Sequence, residues 1–168
     1  ALVATMSSLN SAGRVSGPSG QQAESNFGGL IGFMQDSVLS QSSSQATFMR
    51  VETGSRIGGL VGGADNSNIV QSSSLVQNLE SSAAPSDLGG ILGHGTGNIT
   101  IQDAYAITNL QASLNVGGLV GRLTTAGIIR NTYSTGRIAA NSSIREFETF
   151  GGILGVGADG VEISTSYL

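Results

Sequence analysis

The segment Val116-Gly-Gly-Leu-Val-Gly121, followed by Ile128-Ile-Arg-Asn-Thr-Tyr-Ser-Thr-Gly-Arg-Ile138, contains the pattern that decides the fold. The motif Gly-Gly-[Leu/Ile]-[Leu/Ile/Val]-Gly occurs five times, at spacings of 30, 31, 28 and 34 residues, and an apolar residue precedes each copy. Its glycines are Gly28, Gly29, Gly32, Gly58, Gly59, Gly62, Gly89, Gly90, Gly93, Gly117, Gly118, Gly121, Gly151, Gly152 and Gly155. A motif that recurs with this period is the signature of a repeat architecture.

Three further columns of residues follow the motif in nearly every repeat. The first is apolar: Leu39, Val70, Ile101, Ile129 and Ile163. Four residues on comes a column of Ser43, Ser74, Tyr105, Tyr133 and Tyr167. The last is apolar again: Phe48, Leu79, Leu110 and Ile138. The connection from this last column to the next motif varies most in length, which predicts a surface loop there.

Each repeat thus has three short apolar segments, rich in Val and Ile and bounded by Gly, Asn, Ser and Asp, which indicate strands and turns. The sequence predicts an all-β protein: a right-handed parallel β-helix of about five coils of 28–34 residues, with three short strands per coil. Residues 1–168 form a single domain, in which residues 1–27 are a partial first coil. Neither end shows a capping segment, so we expect a fragment of a longer rod or a stacking subunit.

The double-glycine segment is apolar or bare on both faces of its predicted strand. One face packs in the interior of the coil. We expect the other face to be buried as well, because a strand that is apolar on both faces is normally covered on both. Glycine also allows another backbone to approach closely. The variable loop and a neighbouring molecule are both candidates for this cover.

The composition excludes several functional classes. The net charge is -4 and no basic cluster is present, which argues against nucleic acid as a partner. There is no Cys, so disulfides and thiolate metal sites are excluded. No apolar run of membrane-spanning length occurs, so we expect no direct insertion into a membrane.

The residues at 117–121 and 128–138 resemble the GLUG repeat, a family named for its Gly-Leu-any-Gly core. That family occurs in large bacterial surface proteins, including adhesins and cell-wall-associated peptidases, within long non-catalytic regions. The resemblance implies an extracellular location, at the cell surface or secreted. It implies no catalytic residue, because the family defines none.

The polar residues offer little catalytic chemistry. The single His94, in the glycine-rich stretch 93–97, is expected to be an exposed turn residue. Asp36, Asp65 and Asp159 follow the motif in turns, where they serve the turn or bind calcium; we expect no other cofactor. Asp103 and Asn131 share a column with Gln41, Ser72 and Thr165, which indicates a polar stack at a corner rather than the paired carboxylates of a glycan-cleaving β-helix.

Two columns are candidate contact surfaces. Tyr105, Tyr133 and Tyr167 form either a ladder that stabilises the coils or a platform for a sugar or a protein. The serine runs 42–44 and 72–74 lie in register, and an ice-binding or mineral-binding array is a weaker alternative.

These observations predict a rigid, non-catalytic module that presents loops to a host or neighbouring-cell surface, either glycan or protein. One alternative is a self-assembling filament subunit, with contacts end to end or through the Gly-Gly face. Another is a glycan-active β-helix enzyme.

Overall fold

The computed structural model describes residues 4–16, 25–51, 55–81, 87–112, 114–140 and 149–167, and within these ranges it contains strands and no helix. No helix that could span a membrane occurs there. The strands are β1 Ala4–Ser7, β2 Asn10–Ser16, β3 Ser25–Gly28, β4 Ile31–Gln35, β5 Ser37–Ser40, β6 Ser43–Val51, β7 Ser55–Gly58, β8 Val61–Asp65, β9 Asn68–Val70, β10 Ser73–Ser74, β11 Asn78–Ser81, β12 Asp87–Gly89, β13 Leu92–Thr96, β14 Ile99–Gln102, β15 Tyr105–Ile107, β16 Asn109–Ala112, β17 Asn115–Gly117, β18 Val120–Leu123, β19 Gly127–Thr135, β20 Ile138–Ala140, β21 Thr149–Gly151, β22 Leu154–Gly157 and β23 Val161–Tyr167.

The strands form three parallel sheets, which confirms the predicted β-solenoid with three sides. Sheet I contains β3, β7, β12, β17 and β21, and sheet II contains β4, β8, β13, β18 and β22. Sheet III contains the other 13 strands. Coils one to five begin at the five strands of sheet I, and β1 and β2 belong to a partial coil before them. The chain therefore makes four complete turns between Gly28 and Gly151, and the right-handed winding stays a prediction.

The register differs from the predicted columns by one residue in coils one and two. Leu39 pairs with Ile69 instead of Val70, and both Leu39 and Ile69 are fully buried. These two coils have one residue fewer between the motif and the first column. They have one residue more between the first and last columns, so the distance between those columns is ten residues there and nine in coils three and four.

The same slip changes the other two columns. Ser73 replaces Ser74 beside Ser43, and Met49 replaces Phe48 beside Leu79. The corrected outer column is Asn10, Ser43, Ser73, Tyr105, Tyr133 and Tyr167. The corrected last column is Val15, Met49, Leu79, Leu110 and Ile138.

One corner of the solenoid is made by a residue in the left-handed conformation in every coil. The φ angles in this column lie between 47° and 56°: Ser8, Gln41, Gln71, Asp103, Asn131 and Thr165. A single left-handed residue turns the chain sharply, and where the next residue is Ser42, Ser72 or Ser166 its hydroxyl donates to a backbone carbonyl at the corner. Ser72 Oγ donates to the Val70 carbonyl oxygen at 2.8 Å and accepts the Ser42 N–H at 3.2 Å.

The double glycine lies at a waist where opposite sides of the coil touch. A Cβ on Gly117 would overlap the Val120 carbonyl oxygen and lie 2.6 Å from the Gly155 nitrogen. A Cβ on Gly118 would lie 2.9 Å from the Ser134 Cβ across the coil. The second glycine thus packs on the sheet III column of Ser44, Ser74, Ala106 and Ser134. Glycine is needed here because backbone meets backbone.

The waist divides the core into two apolar clusters. The larger lies between sheets II and III and includes Leu60, Ile91, Leu119 and Ile101. The smaller lies between sheet I and sheet III and includes Leu88. Because the chain bends after the double glycine, the two apolar residues that follow it and the apolar residue before it are all buried in the core in coils two to four.

The cover expected over the double glycine is therefore the solenoid's own backbone. The motif glycines of coils two to four are buried inside the coil, so they offer no free Gly-Gly face there. The predicted cover by the variable loop falls largely on residues 17–24, 52–54, 82–86, 113 and 141–148, which lie outside the described residues.

The waist makes a stability prediction for Ser74→Ala. The Ser74 hydroxyl is buried against Gly59 and has no hydrogen-bond partner, and Ala106 occupies the same column in the next coil. We expect the free energy of unfolding, measured by urea denaturation, to stay unchanged or rise by about 1 kcal/mol. The matched variant Ser72→Ala, which removes two hydrogen bonds, should lose about 1 kcal/mol or more. A loss for Ser74→Ala equal to that for Ser72→Ala would contradict this account.

Candidate binding face

The tyrosine column lies on the outer side of sheet III. Tyr105 begins β15, and Tyr133 pairs with it in β19. Their neighbours Ala106 and Ser134 point inward to the waist, so strand alternation directs both rings outward. The ring centroids are 4.9 Å apart and the planes differ by 2°. The coil spacing thus places the two rings in a parallel stack.

Exposure increases along the tyrosine column. Tyr105 is partly buried, Tyr133 is 39% exposed and Tyr167 is 66% exposed. Tyr167 pairs with Tyr133 through the backbone. Ile107 adds an exposed apolar side chain two residues after Tyr105. The column is therefore a surface feature, and the predicted ladder exists for the Tyr105–Tyr133 pair.

A polar groove continues this face along the strands. It has a volume of about 190 Å³ and includes Asn78, Glu80, Asn109, Gln111 and Arg137. Strands β11, β16 and β20 position these residues, and the last apolar column packs beneath them. Asn109 Nδ2 donates to Asn78 Oδ1 at 3.4 Å, and its own Oδ1 accepts the Arg137 N–H at 3.0 Å. The groove is thus partly ordered by its own hydrogen bonds.

The sequence reasoning missed this groove, although a signal for it exists. Asn78-Leu79 and Asn109-Leu110 are the same dipeptide at the last apolar column in consecutive coils. Each is followed by an acid or an amide, Glu80 or Gln111. A repeated Asn before a buried Leu predicts an outward amide column, because side chains alternate along a strand.

The polar stack predicted for the column of Asp103 and Asn131 is present at the left-handed corner, with one correction. Gln71, not Ser72, occupies the column of Asp103 and Asn131. Asn131 Nδ2 donates to Asp103 Oδ1 at 3.0 Å. Arg130 donates through Nε to Gln102 Oε1 at 2.9 Å, so the exposed side chains of coils three and four hold one another. The polar side chains of this corner in coils three and four are therefore hydrogen-bonded to one another.

His94 is buried in β13, so the prediction of an exposed turn residue is wrong. Its Nδ1 lies 2.5 Å from Asp87 Oδ2 across sheets I and II. Asn115 Nδ2 donates to Asp87 Oδ1 at 2.6 Å, and Thr149 Oγ1 donates to Asn115 Oδ1 at 2.9 Å. Asp87 is thus the partner of His94, and Asp87, Asn115 and Thr149 come from consecutive coils of sheet I. This series of hydrogen bonds joins side chains of neighbouring coils. The contact between His94 and Asp87 leaves no space for a substrate between them.

Of the aspartates considered for calcium, Asp36 and Asp65 lie in adjacent coils, where the Asp36 N–H donates to the Asp65 carbonyl oxygen at 3.0 Å, and Asp159 lies in coil five. Asp65 aligns with Gln35 rather than with Asp36, and its Oδ1 accepts the Thr96 hydroxyl at 3.0 Å. Asp36 is a left-handed residue, and Asp159 lies in the turn that leads to β23. Among the described residues, no three His, Asp or Glu side chains come close enough together to hold a metal ion.

The serine runs do not form an outward array. Ser42 and Ser72 are buried, and their hydroxyl groups donate to backbone carbonyls at the corner. Ser44 and Ser74 are also buried, and they pack against the double glycine at the waist. The ice-binding or mineral-binding alternative is therefore wrong for these runs.

The comparison with protein families finds one match. Residues 112–139 match the GLUG motif, which confirms the resemblance seen at 117–121 and 128–138. The matched segment runs from the end of β16 through β20 and therefore covers nearly one whole coil. No curated protein and no solved structure matches the chain.

Proposed function

We propose that the chain is a non-catalytic module of an extracellular bacterial surface protein, and that it works as a rigid rod whose sheet III makes adhesive contacts. The observation that carries the proposal is the outer face of sheet III. This face combines the Tyr105–Tyr133 stack with the adjacent polar groove on a backbone that is paired on both sides. Rigid scaffolds that hold exposed side chains in fixed positions suit binding, because little side-chain entropy is lost.

Rigidity follows from the way the coils are joined. Every strand of sheets I and II between the first and last coils has a hydrogen-bonded neighbour on each side. The fully buried columns of Leu60, Ile91 and Leu119 run along the rod. In such repeat folds each coil is stabilised by its neighbours, so the rod resists local bending.

A non-catalytic role is supported by the acids on the face. The described lining of the groove includes one carboxylate, that of Glu80. Hydrolysis of glycosidic bonds by the common mechanisms needs two carboxyl groups, about 5–9.5 Å apart. The extracellular bacterial location is supported by the GLUG resemblance.

The proposal is tested by coating beads with the purified chain and counting the cells that attach from a panel of animal epithelial and bacterial lines. Beads coated with a variant carrying Tyr133→Ala and Gln111→Ala serve as the comparison. We expect attachment to at least one line, reduced several-fold by the double variant. Equal attachment of both bead types, or none, would contradict an adhesive sheet III.

The filament alternative stays a prediction and has its own measurement. Light scattering of the same preparation across a hundredfold range of concentration gives its mass. A mass that grows with concentration would favour self-assembly over the rod module, whereas a constant monomer mass supports the proposal.

A further inference from the structure

We infer that the part of the outer face of sheet III that follows the left-handed corner in coils two to four binds a neutral oligosaccharide chain, with the Tyr105–Tyr133 stack at one end and the polar groove at the other. This inference rests on the proposed adhesive function, and it names the class of ligand. Its site, the oligosaccharide face, is defined by Tyr105 and Tyr133 together with the groove residues Asn78, Glu80, Asn109, Gln111 and Arg137.

The stacked tyrosines supply the apolar contact that a sugar ring needs. The C–H faces of pyranose rings are apolar, while their edges carry hydroxyl groups. Tyr133 is 39% exposed, and its ring is stacked on that of Tyr105. An aromatic side chain held in this way offers a large contact area at little cost in conformational entropy, because its rotamer is already fixed.

The groove supplies donors and acceptors in equal measure. The amides of Asn78, Asn109 and Gln111 each carry both, the Glu80 carboxylate accepts, and the Arg137 guanidinium donates. A hydroxyl group also donates and accepts, so a polyhydroxylated ligand can pair with every one of these groups. The hydrogen bonds within the groove leave capacity on the amides, since each primary amide has two donors and two acceptor sites.

The dimensions favour a chain of several sugar units over a single ring. Gln111 lies six positions after Tyr105 along one side of the coil, which corresponds to about 20 Å of extended strand. The face is open, so a linear ligand could lie along the strand and pass from the tyrosines into the groove. A monosaccharide would contact only one of the two parts.

The charge on the face selects a neutral ligand. Among the residues that the structure describes, the lining of the groove includes one acidic side chain, Glu80, and one basic side chain, Arg137. A polyanion such as a nucleic acid or an acidic polysaccharide needs several cations along its path. A protein partner would need a larger apolar centre than Tyr133 and Ile107 provide, because interface cores are depleted in charge and rich in apolar area.

The test is binding of the whole 168-residue chain to immobilised cellohexaose, maltohexaose, mannohexaose and chitohexaose, with hexagalacturonate and a 12-nucleotide DNA as acidic probes. We expect measurable binding to at least one neutral hexasaccharide. Tyr133→Ala should weaken it about five- to tenfold, and Tyr133→Phe, which keeps the ring, should change it by no more than about threefold.

Two further variants keep the inference falsifiable if Tyr133→Ala destabilises the chain. Gln111→Ala changes an exposed groove amide and should weaken binding several-fold without changing the unfolding midpoint. Asn68→Ala changes an exposed amide on β9, before the corner, and should leave binding unchanged.

The outcomes separate this inference from the proposed function. Failure to bind any neutral probe, or equal binding by the Gln111→Ala chain, overturns the oligosaccharide face. If the coated beads still attach to cells in that case, the adhesive role survives and its ligand is of another class. Preferential binding to hexagalacturonate or DNA also overturns the inference, because it requires a polyanion site.

Discussion

Replacing Gly121 by alanine is expected to lower the free energy of unfolding by about 3 kcal/mol, the upper end of the usual cost of overpacking, because the added methyl group has no space. A Cβ there would lie 2.6 Å from the Gly93 oxygen and 2.6 Å from the Leu88 nitrogen. Both are backbone atoms of the preceding coil, held in sheets II and I, so they cannot move aside as a flexible side chain would. The expected result is a lower midpoint of urea denaturation followed by circular dichroism, because coils three and four pack less well on each other.

Gly32 provides a matched control for this substitution. It is the same glycine of the motif in coil one, but it is exposed, and the nearest atom to an added Cβ is the Asn26 oxygen at 3.1 Å. Neither glycine has a positive φ, so alanine is compatible with the backbone at both positions. Gly32→Ala should therefore cost less than about 1 kcal/mol. Equal losses for Gly32→Ala and Gly121→Ala would contradict packing of sheet II on the preceding strand of sheet I.

The fold could be predicted because the repeat is dense and its apolar columns are separated by turn residues. The motif at Gly117 and the apolar residues at Ile129 and Ile138 fall in their observed register. The predicted register was wrong by one residue in coils one and two. In coil two, Ile69 and Val70 fit the first apolar column equally well by hydrophobicity. Only burial inside the solenoid distinguishes them, and burial depends on where the left-handed corner at Gln71 turns the chain.

The role of the double glycine could not be predicted in the same way. The sequence indicated close approach of another backbone, but it gave no means to tell a neighbouring molecule from the opposite side of the same coil. The contact of Gly118 with Ser134 joins residues 16 positions apart, and the contact of Gly121 with Leu88 joins different coils. Such contacts depend on the cross-section of the coil, which is a tertiary property.

The binding face was predictable in part. The tyrosines share a column, and their stacking follows from that column and the coil spacing. The groove is lined by residues of three neighbouring coils, so the pattern of Asn78 and Asn109 alone does not define it. His94 was misassigned for a related reason: glycines on both sides indicate a turn, whereas here they allow sheets I and II to approach and bury the ring.

Replacing Ile101 by alanine is expected to cost about 2–5 kcal/mol, because a fully buried side chain leaves a cavity in a tightly packed column. Ile101 lies between Ile69 and Ile129, which have little freedom to fill the space, since the backbone ladders fix the distance between coils. Urea denaturation should show a lower midpoint. Because each coil is stabilised by its neighbours, weakening coil three should also broaden the transition as the two halves of the rod unfold at different concentrations.

Ile163 is the control, since it occupies the same column in coil five but is 47% exposed. Ile163→Ala removes the same atoms and should cost less than about 1 kcal/mol, with no broadening of the transition. The ratio of the two losses measures how far the centre of the rod depends on stacking rather than on the isolated coil. Equal losses would mean that the coils are stabilised independently. In that case sheet III would not be the rigid support that the proposed binding face requires.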